Sequence, residues 1–242
     1  MDNVFDKMFY NKGTFIGGID ESGVSDLAGP LIAACVVLPK LDIHQDDVQI
    51  FNIDDSKKLN TSLRAKYASL IWEKAIGIGV GEVNSDEIDF FGHQKAIVLA
   101  HTRAVLACKK PMSKVVIKPD FLLIDGKYEN SLQISYKNIP NGDAVSLSIA
   151  AASIVAKVYR DDLMVKLHER YPWYGWDRNK GFRTEEHYQG IDNQGIVLGV
   201  HRVRYWPIFA DPYYRKQTPI QELINWERRR KLWKNRTFLK SL

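Results

Sequence analysis

The sequence predicts an α/β fold built on a mixed sheet. Three observations predict it: short apolar runs come early, later runs alternate with helical patterns, and the last third reads as helices alone. Residues 14–19 (TFIGGI) and 31–39 (LIAACVVLP) are apolar runs on either side of a Gly-rich turn, the pattern of a hairpin. In 60–75 (NTSLRAKYASLIWEKA), Leu63, Tyr67, Leu70 and Ile71 recur at helical spacing and Asn60 stands where an N-cap belongs. A third strand follows at 76–83. A longer helix is expected over 85–108, opening on Ser85, Asp86 and Glu87, where acids suit a helix N-terminus. FLLID (121–125) reads as a buried strand and LQISYKNI (132–139) as a more exposed one. A last long helix is expected over 144–170, and its small residues (AVSLSIAAASIVAKV) would let it lie very close to a sheet. Pro172, Pro207, Pro212 and Pro219 then divide the chain into shorter pieces.

The 242 residues suffice for one large domain with an appendage, and 45% hydrophobic and 26% charged residues are ordinary for a globular protein. No apolar run approaches the ~20 residues of a membrane span. The N-terminus carries two early acids and no long apolar core, unlike a signal peptide. Cys35 and Cys108 are the two cysteines, both in apolar patterns and neither in a CxxC, which points to buried thiols and a cytoplasmic protein. Charge is unevenly placed. Residues 213–242 hold nine Lys or Arg against two Glu, a balance of +7 where the whole chain has +5, so the rest sums to −2. The expected division is therefore a body over 1–212 and a basic tail over 213–242. The tail mixes Trp226, Trp233 and Phe238 with Arg228, Arg229, Arg230 and Lys231. Such a mixture suits a nucleic-acid or protein contact, and equally an amphipathic helix laid on the body.

Four acids stand at strand ends and helix starts. Asp20 and Glu21 follow the first apolar run, Asp125 ends FLLID, and Asp143 precedes the small-residue helix. Singly, each has an ordinary role: closing a hairpin, making an Asp-Gly turn, capping a helix. Together, if the first and fourth strands are neighbours, they converge at one edge of the sheet, where open α/β sheets place their sites. Clustered carboxylates raise one another's pKa, and hard divalent cations with oxygen preference relieve the conflict. Two such ions would stabilise both the attacking and the leaving oxygen of a phosphoryl displacement. The chemistry this favours is phosphodiester hydrolysis by an activated water, with no covalent nucleophile.

GIDESGVSDLAGPLIAACVVLP, DDSKKLN, LLIDG, GDAVSLSIAAASIVAKVYRD, NKGFRTEEH and HRVRY, in that order over residues 14–208, resemble ribonuclease HII, of the type 2 ribonuclease H family. The resemblance implies a ribonuclease-H-like mixed five-stranded sheet flanked by helices, with a helical C-terminal extension. It implies an endoribonuclease that hydrolyses the RNA strand of RNA–DNA hybrids and leaves 3′-hydroxyl and 5′-phosphate ends. Asp20, Glu21, Asp125 and Asp143 would be both catalytic and metal-ligating, for Mg²⁺ or Mn²⁺ in a two-metal site. Lys57 and Lys58 of DSKKL would meet phosphate. A monomer acting on an RNA-containing duplex is implied. For Ser153 and the pair His201 and Arg202, substrate support and plain packing both stay open.

Two departures bear on substrate. Where the family has a Gly-Arg-Gly loop that reads the 2′-hydroxyl and the RNA-to-DNA junction, this chain has Gly23, Val24 and Ser25. Val24 removes a charge, and neither it nor Ser25 reaches glycine-only conformations cheaply. Where the family has a Tyr that stacks on a sugar, Phe182 keeps the ring without the hydroxyl, and Arg183 replaces a small residue. The altered loop argues against excision of a single ribonucleotide embedded in duplex DNA. It also keeps a second reading open, a catalytically weak RNA- or DNA-binding component.

Overall fold

The computed structural model describes residues 4–40, 60–129 and 132–204. A short helix α1 (Val4–Lys7) is followed by the strands β1 (Ile16–Ser22) and β2 (Leu31–Val37), helix α2 (Thr61–Lys74) and strand β3 (Gly77–Val83). Helices α3 (Ser85–Phe91) and α4 (His93–Leu106) lead to β4 (Phe121–Asp125) and β5 (Ser135–Ile139). A 3₁₀ turn (Gly142–Ala144), the long α5 (Leu147–Arg170), a second 3₁₀ turn (Pro172–Tyr174), α6 (Trp176–Asn179) and α7 (Glu185–Gln194) complete the order. The five strands form one sheet in the order β3-β2-β1-β4-β5. β1 runs antiparallel to β2 and parallel to β4, and β4 runs parallel to β5, so the sheet is mixed as expected.

The chain divides into two compact units. One comprises Met1–Ser22, Ile32–Glu82 and Ile97–Arg160, the other Gly23–Leu31, Val83–Ala96 and Asp161–Leu242. The first holds the sheet. Its core packs Phe9, Ile16, Phe121, Leu123, Ile139 and Ile149, with the Phe9 and Phe121 rings stacked at 5.7 Å. The second is built around Ala28, Met164, Tyr174, Trp176, Ile191 and Ile196.

Small residues set how closely helix and sheet approach. At Gly18 of β1, a Cβ would fall well under 3.0 Å from the Ser148 carbonyl group and the Ile149 nitrogen of α5. The small-residue helix therefore lies on bare backbone, as its composition predicts. On β3, Gly79 and Gly81 likewise face the Ala104 and Ala100 carbonyls of α4. Cys35 and Cys108 are buried free thiols.

Several elements differ from the sequence reading. β1 runs on through Asp20 and Glu21, which pair with Ala34 and Ala33 of β2. The helix expected over 85–108 is two helices, because Gly92 takes φ 80°, outside helical space, and donates its N–H back to Ile88. The helix expected from residue 144 starts at Leu147; the Gly142–Ala144 stretch is a tighter 3₁₀ turn entered through Asn141 at φ 55°. Helix α1 gave no periodic signal. Its buried Asp6 accepts from Ser148 N at 2.9 Å, satisfying a donor in the first turn of α5. No described helix is long and apolar enough to cross a membrane.

Candidate active site

The parallel register of β1 on β4 pairs Ile19 with Ile124, so Asp20 and Asp125 are the next residues on adjacent strands. Side chains in a strand alternate between faces. Asp20 therefore shares a face with Gly18, on which α5 lies, and Ser153 of α5 hydrogen-bonds the Asp20 carboxylate. Glu21 turns to the face of α4, where His101 Nε2 lies 2.8 Å from Glu21 Oε2. The Glu21 N–H donates to Asp20 Oδ1 at 2.8 Å and fixes that side chain. Asp125 Oδ1 accepts from Gly142 N at 2.6 Å, which ties the end of β4 to the turn carrying Asp143. Asp20 is 6% and Asp143 2% exposed, while Asp125 is half-buried.

The electrostatics of these acids are those of a crowded anionic site. Burial raises Asp20 well above the ordinary carboxylate range, and the Glu21 and Asp125 charges add to the rise against the Ser153 and Glu21 N–H bonds. Burial also raises Asp125, assisted by Asp143 and Glu21 and opposed by the Gly142 N–H. Each of the four thus takes part in one electrostatic group. At Asp20 and Asp125 the causes of the rise are burial and neighbouring carboxylates, opposed by hydrogen bonds. Among the described residues no three His, Cys, Asp or Glu side chains are already gathered as a metal cage. The donor chemistry nevertheless fits a hard divalent cation: the set is all carboxylate oxygen, and the charged forms of Asp20 and Asp125 are disfavoured by burial and by their acidic neighbours.

Two residues beside the acids carry no signal in the sequence pattern. His101 sits in the helical run AHTRA and reads there as one more residue of an amphipathic face. Tyr128 lies in the loop after β4, where its phenol hydrogen-bonds Glu21. Burial, then the Glu21 charge, pushes that phenol up, so it stays a protonated donor. Their rings meet edge to face at 5.4 Å and 81°. Ser153, left open between substrate support and packing, holds Asp20.

The second unit carries the other expected contacts. Gly23 takes φ 91°, whereas Val24 and Ser25 are absent from the positive-φ residues, so the altered loop forms without strain at either. The fully buried Arg202 holds this segment by its carbonyls: Nη1 donates to Val24 O at 3.0 Å, and Nε and Nη2 donate to Gly29 O at 3.1 and 3.0 Å. Phe182 is 52% exposed and Arg183 is exposed too. Behind Phe182, Trp176 Nε1 donates to His187 Nε2 at 3.0 Å, which leaves His187 Nδ1–H to donate to Phe182 O at 2.9 Å. His201 Nδ1 accepts from Val197 N at 2.9 Å, so its Nε2–H faces His187 Nε2 at 3.3 Å. His201 and Arg202 therefore organise the unit from inside. Lys57, Lys58 and the tail over 213–242 lie outside the described residues.

The two histidines give the fold an acid-sensitive component. Burial holds both pKa values below the ordinary 6.5, and the His187 ring lowers His201 further. Below about pH 6.5 the unfolded chain takes up a proton that the folded ring refuses. The stabilisation is thus complete above pH 6.5 and declines in acid, by at most about 1.4 kcal/mol per pH unit for each ring. His201→Gln is expected to be less stable than the wild type at pH 7.5, with the gap narrowing by pH 5.5. Urea unfolding of both proteins at both pH values checks this, and an unchanged gap contradicts it.

The ribonuclease HII family model matches residues 17–206. Ribonuclease HII of Clostridioides difficile is 41% identical over 201 residues, 83% of this chain and 73% of that protein. Among solved structures, ribonuclease H2 from Pyrococcus horikoshii aligns with a TM-score of 0.66 at 21% identity, over 84% of this chain and 100% of that one. Bst-RNase HIII in complex with Mn²⁺ aligns with a TM-score of 0.57 at 18% identity, over 83% and 70%. The structural likenesses speak for the fold, the five-stranded sheet with flanking helices. The sequence likeness, which runs through both units, goes further: this chain belongs to the ribonuclease HII family.

Proposed function

We propose that this ribonuclease HII-family hydrolase is a divalent-metal-dependent endoribonuclease that cuts the RNA strand of RNA–DNA hybrids and leaves 3′-hydroxyl and 5′-phosphate ends. The observation that carries the reading is the electrostatic grouping of Asp20, Glu21, Asp125 and Asp143 at the meeting of β1, β4 and the 3₁₀ turn. Those four carboxylates would hold Mg²⁺ or Mn²⁺, which supplies an activated water and offsets charge on the phosphate as the bond breaks. The protein's own part is positioning. Ser153 and the Glu21 N–H fix Asp20, and the Gly142 N–H fixes Asp125. Burial keeps bulk water from screening the group, so each charge acts more strongly on a bound phosphate than it would in solvent. The manganese complex of the related ribonuclease HIII supports the choice of ion class.

Substrate choice is read from the second unit. Val24 in place of an arginine withdraws one cation from the loop assigned to the 2′-hydroxyl, and the exposed Phe182 ring remains as a stacking surface that needs no hydroxyl. Lys57, Lys58 and Arg183 are assigned to phosphate, which would make affinity fall with salt. The proposed order of preference is a continuous hybrid over a duplex with one embedded ribonucleotide. The test compares the two at equal concentration with Mg²⁺ and Mn²⁺ titrated separately. The hybrid is expected to be cut at least about tenfold faster in either metal. Equal rates would contradict the assigned role of the loop, and tight binding without cleavage of either would favour the second reading, a binding component.

A further inference from the structure

Within the first unit, Glu21 is held by two side chains that nothing above assigns to the reaction. His101 Nε2 lies 2.8 Å from Glu21 Oε2, with side chains only 7% and 9% exposed. The Tyr128 hydroxyl donates to the same carboxylate. A carboxylate offers about four lone-pair positions. Two taken by protein donors leave two for other ligands, in a fixed orientation.

The surrounding structure is arranged to hold these donors. Tyr128 reaches back because Gly126 takes φ 80° and has no side chain: a Cβ there would lie 2.8 Å from the Tyr128 ring. Asn138 Nδ2 of β5 donates to Tyr128 O at 2.9 Å and pins the backbone at that point. The edge-to-face contact of the Tyr128 and His101 rings at 5.4 Å couples the two donors. His101 itself comes from α4, whose approach to the sheet is set by Gly79 and Gly81. Two separate elements, α4 and the loop after β4, thus converge on one carboxylate. Each of these contacts is a charge-assisted hydrogen bond to a buried carboxylate, and together they fix its orientation.

We infer that His101 and Tyr128 are positioning residues that orient Glu21 for the divalent cation and set the cation's affinity. The inference rests on the proposed reading of Glu21 as a metal ligand. Both act through Glu21 in this assignment. Hydrogen bonds to ligating groups are known to orient them and to change metal affinity by about 10–100-fold when removed.

The test uses the full chain and Mn²⁺ itself as the probe. Isothermal titration calorimetry gives the Mn²⁺ dissociation constant for wild type, His101→Ala, His101→Gln, Tyr128→Phe and Glu21→Gln, with urea unfolding to confirm folding. Hybrid cleavage is followed against Mn²⁺ concentration in parallel. Tyr128→Phe and His101→Ala are each expected to weaken Mn²⁺ binding about tenfold. The metal concentration for half-maximal rate should rise in step, with the rate at saturating Mn²⁺ kept within about twofold. His101→Gln, whose amide N–H can take the place of Nε2–H, should recover most of the affinity. If His101→Ala does not fold, Tyr128→Phe and His101→Gln still decide the question. Wild-type affinity in Tyr128→Phe and His101→Ala, together with a large loss in Glu21→Gln, overturns the positioning role and leaves the site intact. Unchanged affinity in Glu21→Gln overturns the ligand assignment and this inference with it.

Discussion

Asp125→Asn is expected to lower hybrid cleavage by about 10³-fold or more while leaving hybrid binding within about twofold. Asparagine keeps the size of the side chain, and its oxygen can still accept from Gly142 N, so the turn carrying Asp143 stays tied to β4. What the substitution removes is one negative charge from the group of four. A single preorganised electrostatic contact at a reacting centre is worth about 10²–10³ in rate, and a lost metal ligand adds to that. The same change should stabilise the fold. Asp125 raises Asp20, and Asp143 and Glu21 raise Asp125, so in the absence of metal its charge is a net burden. Removing it should raise Tm, as happens where a site keeps strain for function. Single-turnover cleavage, hybrid binding without divalent metal and thermal unfolding measured on one preparation check all three statements. Retained activity would exclude Asp125 from the site.

Gly18→Ala is expected to cost about 3 kcal/mol or more of stability, or to prevent folding. The atoms a new Cβ would meet are the Ser148 carbonyl and the Ile149 nitrogen, all backbone of α5, which no rotamer change can move away. To admit the methyl, α5 must lift from β1, and Ser153 would lift from Asp20 with it. Gly92→Ala is the matched control. At Gly92 a Cβ has open space and only the backbone torsions, φ 80° and ψ 164°, are unfavourable, which costs about 1–3 kcal/mol. Urea unfolding should therefore rank Gly18→Ala well below Gly92→Ala. The reverse order would mean that helix and strand are not in backbone contact at Gly18.

Features carried by period and by local residue choice were legible in the sequence. The apolar runs gave all five strands, and the Ala- and Ser-rich stretch of α5 announced a close approach before its partner, Gly18, was known. The strand-end positions of Asp20, Glu21 and Asp125 were legible for the same reason: an acid closing an apolar run stands out locally. Contacts between distant segments were not legible. Asp6 caps the start of α5 across 142 residues, and nothing near Asp6 announces Ser148. His101 has no local cue either, because a helix presents a polar residue every few positions and only the fold says which one meets Glu21. Gly92 was passed over because an isolated glycine inside a helical pattern is tolerated, and its φ decides whether the helix continues. Arg202 stayed open between phosphate contact and packing because its charge is visible in sequence, while its burial against Val24 and Gly29 is not.

The central claim, that Asp20, Glu21, Asp125 and Asp143 together hold divalent cations, is tested most directly by anomalous diffraction from crystals of the full chain equilibrated with Mn²⁺. The account predicts anomalous peaks within about 2.5 Å of oxygens from all four carboxylates, lost in crystals of Asp125→Asn. Peaks at other residues, or none beside these four at saturating Mn²⁺, would contradict it.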